Sequence, residues 1–93
     1  MPPRDEPYIS VRLGAVARHC LRGARVADVA GDHARLSEYL VRAGIARSVI
    51  CTDLNDAPVQ KAAERLAGLA AAEVRQGVGL EPIGPGQVDV VCI

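Results

Sequence analysis

Two short β-branched apolar runs, Arg25-Val-Ala-Asp-Val-Ala30 and Ser48-Val-Ile-Cys-Thr52, bracket a segment whose apolar residues recur at helical spacing. Leu36, Tyr39, Leu40 and Ala43 form that stripe, Asp32 stands where an N-cap belongs, and Gly44 stands where a helix stops. A strand, a helix of this length and a second strand can lie in one sheet only through a right-handed crossover, which makes the two strands parallel. That unit constrains the rest of the chain.

The flanks repeat the alternation. Behind Ser10, a good N-cap, Leu13, Val16, Ala17, Cys20 and Leu21 recur at intervals of three and four, and Gly23 ends that helix. After Asp53, Asn55 or Asp56 caps a third helix with Pro58 in its first turn; its expected buried face is Val59, Ala62, Ala63, Leu66 and Ala70. A weak strand over 72–75 leads into Gly77-Val-Gly79, and a loop with Pro82, Gly84, Pro85 and Gly86 precedes a final strand over 88–93. The order α-β-α-β-α-β-β predicts an α/β fold, a Rossmann-like half-sheet of parallel strands in order 3-2-1-4 with helices on both faces. The expected division is a flexible, proline-rich lead-in over 1–8 and one partial ligand-binding domain over 9–93. A final strand that coincides with the last residue predicts a sheet cut short after strand four. Its open edge calls for a second copy or a partner chain over 88–93.

Composition narrows the function classes. Of 93 residues, 49% are apolar, enough for a core, yet there is no Trp or Phe and only Tyr8 and Tyr39. The core must be aliphatic, and aromatic stacking platforms for single-stranded nucleic acid are excluded. Eleven basic and eleven acidic residues cancel, which argues against a histone-like or polybasic membrane-binding protein. The balance is uneven along the chain: eight arginines and five acids lie in 1–47, three basic residues and six acids in 48–93. Cys20, Cys51 and Cys92 are widely spaced with no CxxC pair, so neither a disulfide framework nor a zinc site is indicated. They read as small core residues in a reduced, cytoplasmic compartment. No stretch approaches the about 20 apolar residues of a membrane span.

In open parallel sheets ligands bind at the carboxyl ends of the strands. Three segments converge there. Asp28 through Asp32 and His33 follow the first strand, too poor in glycine for a dinucleotide loop, so a nicotinamide enzyme is disfavoured. An acid beside a small-residue turn suits a ligand with a cationic amino acid end. Asp53 at the tip of the second strand suits the two hydroxyls of a ribose. Gly77-Val-Gly79 is a tight turn placed beside an adenine edge. S-adenosylmethionine meets all three requirements. Asp28 inside an apolar strand is costly to bury without a partner and stands out as functional. Asp32 also reads as a simple helix cap, and Arg12, Arg18 and Arg22 as either a solvated face or a row of RNA-phosphate contacts.

Taken together, Ile9-Ser-Val-Arg-Leu13, Ala27-Asp-Val-Ala-Gly-Asp-His-Ala-Arg-Leu36, Asp53, Asp56-Ala-Pro58 and Val74-Arg-Gln-Gly-Val-Gly-Leu80 resemble the TrmK family of bacterial tRNA methyltransferases. That family methylates N1 of adenine 22 in tRNA with S-adenosylmethionine. The resemblance implies a class I methyltransferase domain in which Asp28, Ala30, Gly31, Asp32, His33, Asp53, Leu54, Gly77, Val78 and Gly79 bind the cofactor. It also implies a polar role for Asp28 near the transferred methyl, RNA contacts by Arg12, Arg18 and Arg22, tRNA as partner, and no metal. Three departures accompany it. Ala30 replaces a glycine that admits the methionine part of the cofactor, Val78 replaces an acid that accepts from the adenine amino group, and the glycine-rich segment expected after the last strand is missing. A truncated or degenerate member of that family follows. The rival reading is a noncatalytic remnant that acts as an oligomerisation or partner-binding module.

Overall fold

The computed structural model describes residues 22–29 and 34–92. The expected helix behind Ser10, the lead-in, Arg12, Arg18, Cys20 and the 30–33 loop lie outside the described residues. Four strands and two helices follow in chain order: β1 (Arg25–Val29), α1 (Arg35–Arg42), β2 (Ser48–Asp53), α2 (Asp56–Leu66), β3 (Ala72–Gln76) and β4 (Val90–Cys92). All pairings are parallel and the sheet runs β3-β2-β1-β4, the order that the alternation predicts. The fold is Rossmann-like.

Register explains how the sheet is covered. Asp28 lies opposite Cys51 on β2 and Cys92 on β4, and Cys51 lies opposite Val74 on β3. Because side chains alternate along a strand, these residues share a face with Val26, Val49, Ala72 and Val90. Both described helices pack on it. Val26 and Val49 meet Tyr39, Leu40, Ile45 and Ala46 under α1, while Cys51 meets Ala34, Ala62 and Leu66 under α2. Each fully buried Leu or Val contributes about 1.5–3 kcal/mol, so this aliphatic layer holds the helices without aromatic stacking. On the opposite face Ala27, Ile50 and Thr52 are also buried.

The helix ends differ in detail from the sequence expectation. Asp32 is not at the N-cap of α1: that position is Ala34, in the left-handed region at φ 63°, with no side-chain cap. A left-handed non-glycine residue costs about 1–2 kcal/mol, and here the methyl it carries is fully buried beside Cys51 and Leu66. At the other end Gly44, at φ 68°, turns the chain so that the Ile45 N–H donates to Leu40 O at 2.9 Å. In α2 the buried stripe is narrower than expected. Ala62 and Leu66, one turn apart, are buried and Val59 is half-buried, but Ala63 is rotated out of the stripe and Ala70 lies past the helix end, both exposed. Glu38 ties the helices together by accepting from Arg42 at 3.0 Å and from Arg65 at 3.1 Å.

The last strand is shorter than the 88–93 expected, because its entry is used as a corner. Asp89 N–H donates to Arg25 O at 2.7 Å, and the Asp89 carboxylate accepts from Arg25 N at 2.9 Å, Nε at 3.2 Å and Nη2 at 2.9 Å. Regular pairing with β1 starts only at Val90.

Candidate functional site

The carboxyl ends of β1, β2 and β3 lie side by side, and the segments that leave them are 30–33, 54–55 and 77–79. The second and third are described in full. Asp53 closes β2 and is half-buried; its Oδ1 accepts from Asn55 N–H at 3.3 Å, which sets the turn into α2. Asn55 holds the N-cap position of α2 without a side-chain cap of its own. Asp53 therefore presents a carboxylate at the sheet edge with its orientation set by the backbone that follows.

The loops after β2 and β3 are joined by hydrogen bonds. Gly77 N–H donates to Asp53 O at 3.0 Å, which carries the β2–β3 pairing one step past its last register pair. Thr52, fully buried, donates from Oγ1 to Gly79 O at 3.0 Å. Gln76 Nε2 donates to Leu54 O at 3.1 Å and to Asp56 Oδ1 at 2.6 Å. Behind the turn, Arg75 donates to Pro82 O at 2.9 Å and to Gln87 Oε1 at 2.7 Å and pairs with Glu73. The Pro82 ring then lies where a side chain on Gly77 would go: a Cβ there would stand 2.9 Å from Pro82 Cδ. Gly79 needs its freedom for another reason, its left-handed φ of 54°.

Against this frame two aliphatic side chains face outward, Leu54 at 57% exposure and Val78 at 55%, with Leu80 beyond them. Exposed aliphatic groups beside a fixed carboxylate suit a ligand with an apolar ring and a hydroxylated sugar. Asp53, Leu54, Gly77, Val78 and Gly79 thus lie together at the carboxyl ends of β2 and β3. Ala30, Gly31, Asp32 and His33 lie outside the described residues.

Asp28 does not join that cluster. It is 3% exposed, faces the helix layer, and its Oδ2 accepts from Ser37 Oγ at 2.7 Å. Burial pushes its carboxyl above the usual carboxylate range, and the hydrogen bonds from Ser37 pull back against the shift. The side chain thus lies under α1, with Ser37 as its hydrogen-bond partner. The neighbouring Cys51 thiol is pushed up to about 11, first by burial and then by the Asp28 charge, so it is a core residue and not a nucleophile. Arg22 is exposed and precedes β1, at the amino end of the sheet, opposite Asp53. Among the described residues no group of three or more His, Cys, Asp or Glu is placed to hold a metal, and no helix is long and apolar enough to cross a membrane.

Sequence reasoning passed over Thr52, Gln76 and Ser37. Each carried a signal. Thr52 is a hydroxyl one step from the end of an apolar strand, Gln76 stands just before the glycine turn, and Ser37 is the polar residue set among Leu36, Tyr39 and Leu40.

Comparison with known proteins agrees with the geometry. The family model described as "Methyltransferase domain" matches residues 9–93. The tRNA (adenine(22)-N(1))-methyltransferase of Bacillus subtilis is 37% identical over 92 residues, which is 96% of this chain and 39% of that protein. Its crystal structure superposes with a TM-score of 0.83, covering 92% of this chain and 38% of that one. Streptococcus pneumoniae Sp1610, described as a putative tRNA (m1A22) methyltransferase in complex with S-adenosyl-L-methionine, superposes at 0.79 with 35% identity over 90% of this chain and 41% of that one. M. capricolum TrmK in complex with S-adenosyl-homocysteine superposes at 0.74 with 27% identity over 91% of this chain and 41% of that one. The chain thus spans about two-fifths of the length of these relatives. With the strand order, the carboxylate at the β2 tip and the family match over 9–93 in agreement, the chain belongs to the methyltransferase-domain family.

Proposed function

We propose that this chain is the S-adenosylmethionine-binding part of a tRNA adenine-N1 methyltransferase of the TrmK type, working in the cytoplasm. The observation that carries the reading is the joined edge of β2 and β3. Asp53 is fixed by Asn55 beside the exposed Leu54 and Val78, in a chain 37% identical to the Bacillus subtilis enzyme. The donor set fits the cofactor: a carboxylate for the ribose hydroxyls, aliphatic faces for adenine, and a glycine turn that lets backbone come close. When bound, S-adenosylmethionine supplies an electrophilic methyl on a cationic sulfonium.

In this reading Asp53 orients the ribose, while Leu54 and Val78 pack the base and keep water from it. Gly77 and Gly79 shape the base-side turn. Ala30, Gly31, Asp32 and His33 are assigned to the methionine end. Asp28, its carboxylate buried under α1 and held by Ser37, enters as a positioning residue at the end of β1. Most of the rate comes from holding adenine N1 in line with the methyl and excluding water. Val78 has no acceptor for the adenine amino group, a loss of about 1 kcal/mol for one such hydrogen bond. Arg22, with Arg12 and Arg18, is assigned to tRNA phosphates, where each contact adds salt-sensitive affinity.

The test is transfer of radiolabelled methyl from S-adenosylmethionine to unmodified tRNA, with primer extension locating the product. A stop at adenine 22 supports the assignment, and labelling of another base or of protein overturns it.

A second reading has one observation behind it. Val91 on β4 is 40% exposed, and among the described residues β4 pairs with β1 alone. On that reading β4 pairs with a second copy or a partner chain, and the module is noncatalytic. A strictly monomeric mass by light scattering counts against pairing with a second copy.

A further inference from the structure

We propose that Thr52 and Gln76 are the positioning residues that make the β2 and β3 loops a single preformed wall of the ligand site, an inference that rests on the cofactor reading above. Neither side chain is among the groups assigned to touch ligand. Their side-chain hydrogen bonds cross between the β2 and β3 sides of the site, to the two loops and to the first turn of α2. Thr52 Oγ1 reaches from the buried side of β2 to Gly79 O, at the far end of the glycine turn. Gln76 Nε2 reaches the other way, from β3 to Leu54 O and to Asp56 Oδ1 at the first turn of α2. Gly77 N–H on Asp53 O lies between them, so one bond runs from β2 to the β3 side and the others run from the β3 side back to β2 and the segment after it.

The consequence is mechanical. Leu54 and Val78 are more than half exposed and have little packing of their own to hold them. What fixes their separation is the backbone beneath, and these side-chain bonds fix that backbone. Gly79 shows why one is needed there, because its left-handed conformation has no steric preference for a single state and nothing lies within 4 Å of its Cβ direction. The Thr52 hydroxyl, fully buried and aimed at the Gly79 carbonyl, selects one state. A site held ready before the ligand arrives binds more tightly, because less ordering remains to be done.

The experiment uses three variants of the chain. Thr52→Val keeps the shape and removes the donor, Thr52→Ser restores the donor, and Gln76→Met changes an exposed side chain with little risk to folding. In the ligand-free protein, amide exchange at Gly77 and Glu81 is expected to speed up about ten-fold in Thr52→Val, with β1 unchanged, and to return in Thr52→Ser. Calorimetry with S-adenosylhomocysteine is expected to show about ten-fold weaker binding for Thr52→Val and for Gln76→Met, and wild-type affinity within about two-fold for Thr52→Ser. Exchange that rises equally in β1 means a general loss of stability and overturns the positioning role. Unchanged exchange, or binding equal to wild type in both donor-less variants, overturns it as well. Absence of binding by the wild-type chain itself overturns the cofactor reading, and this inference with it, so the two failures are told apart.

Discussion

Ser37 Oγ donates a 2.7 Å hydrogen bond to Asp28 Oδ2 in a position where both side chains are buried between the central strand and α1. The pair joins the strand that leads into the 30–33 segment to the helix that follows it. Burial disfavours the charged carboxylate and raises its pKa; the Ser37 hydrogen bonds favour the charge and offset part of the rise. A carboxyl whose folded pKa lies above its unfolded one stabilises the fold while protonated, and that contribution is lost as pH rises through the folded value. Asp28→Asn is therefore expected to flatten the pH dependence of stability above pH 4 and to be at least as stable as wild type at pH 7. Ser37→Ala removes the side-chain donor to the buried carboxylate and leaves the backbone one, and should cost about 1–3 kcal/mol. Urea unfolding of the two variants across pH 4–8 measures both.

Cys51 lies opposite Asp28 in the sheet, with its thiol pushed up to about 11. At pH 8 about one molecule in a thousand carries the thiolate, and access is closed by Leu66 and Ala62. Alkylation of Cys51 in the folded chain is expected to be about a hundred-fold slower or more than in urea. Peptide mass spectrometry after timed iodoacetamide exposure measures the ratio, and equal rates would show that the α2 layer does not protect this face.

The two turn glycines make contrasting demands. Gly77→Ala places a methyl 2.9 Å from the Pro82 ring, which cannot swing away as a flexible chain end would, so about 1–3 kcal/mol of destabilisation is expected. Gly79→Ala meets open space and carries only the left-handed conformational cost of about 1–2 kcal/mol. Replacing Pro82 by Ala together with Gly77→Ala should recover most of the first loss and none of the second. Thermal unfolding of the single and double variants decides it.

At the opposite end of the sheet, the Arg25 guanidinium and backbone N–H hold the Asp89 carboxyl down to about 2. An acid with a depressed folded pKa contributes stability above its unfolded value, and the contribution is lost as pH falls through the folded one. The window is therefore about pH 4 down to about 2, and the effect is small because both side chains are partly exposed and screened by salt. Asp89→Asn is expected to remove this acid-dependent step and to loosen β4 first, read as faster amide exchange at Val90 and Val91 while β2 is unchanged.

Strand order was legible because two β-branched runs around a helical stripe leave one topological solution, and the parallel β3-β2-β1-β4 sheet followed from it. The β2 tip was legible for the same reason: Asp53 ends an apolar run and a helix starts three residues later. Asp28 stood out in the sequence because a carboxylate in an apolar strand reads as functional when its partner is not visible. That partner, Ser37, sits nine residues on in another element, and a period-3.6 pattern does not mark which polar residue turns inward. The Ala34 cap was hidden for a related reason, since left-handed alanine follows from packing against Cys51 and Leu66 and not from propensity. Thr52 and Gln76 act through backbone atoms of a neighbouring loop, contacts that exist only once β2 and β3 are paired.

The most direct measurement is isothermal titration of S-adenosylhomocysteine into the chain, with Asp53→Ala alongside. Saturable binding by wild type at micromolar to sub-millimolar ligand is expected, with a loss of about ten-fold or more in Asp53→Ala, the size of one or two hydrogen bonds to a charged group. No detectable heat at millimolar ligand, or equal affinity for the two proteins, would contradict it.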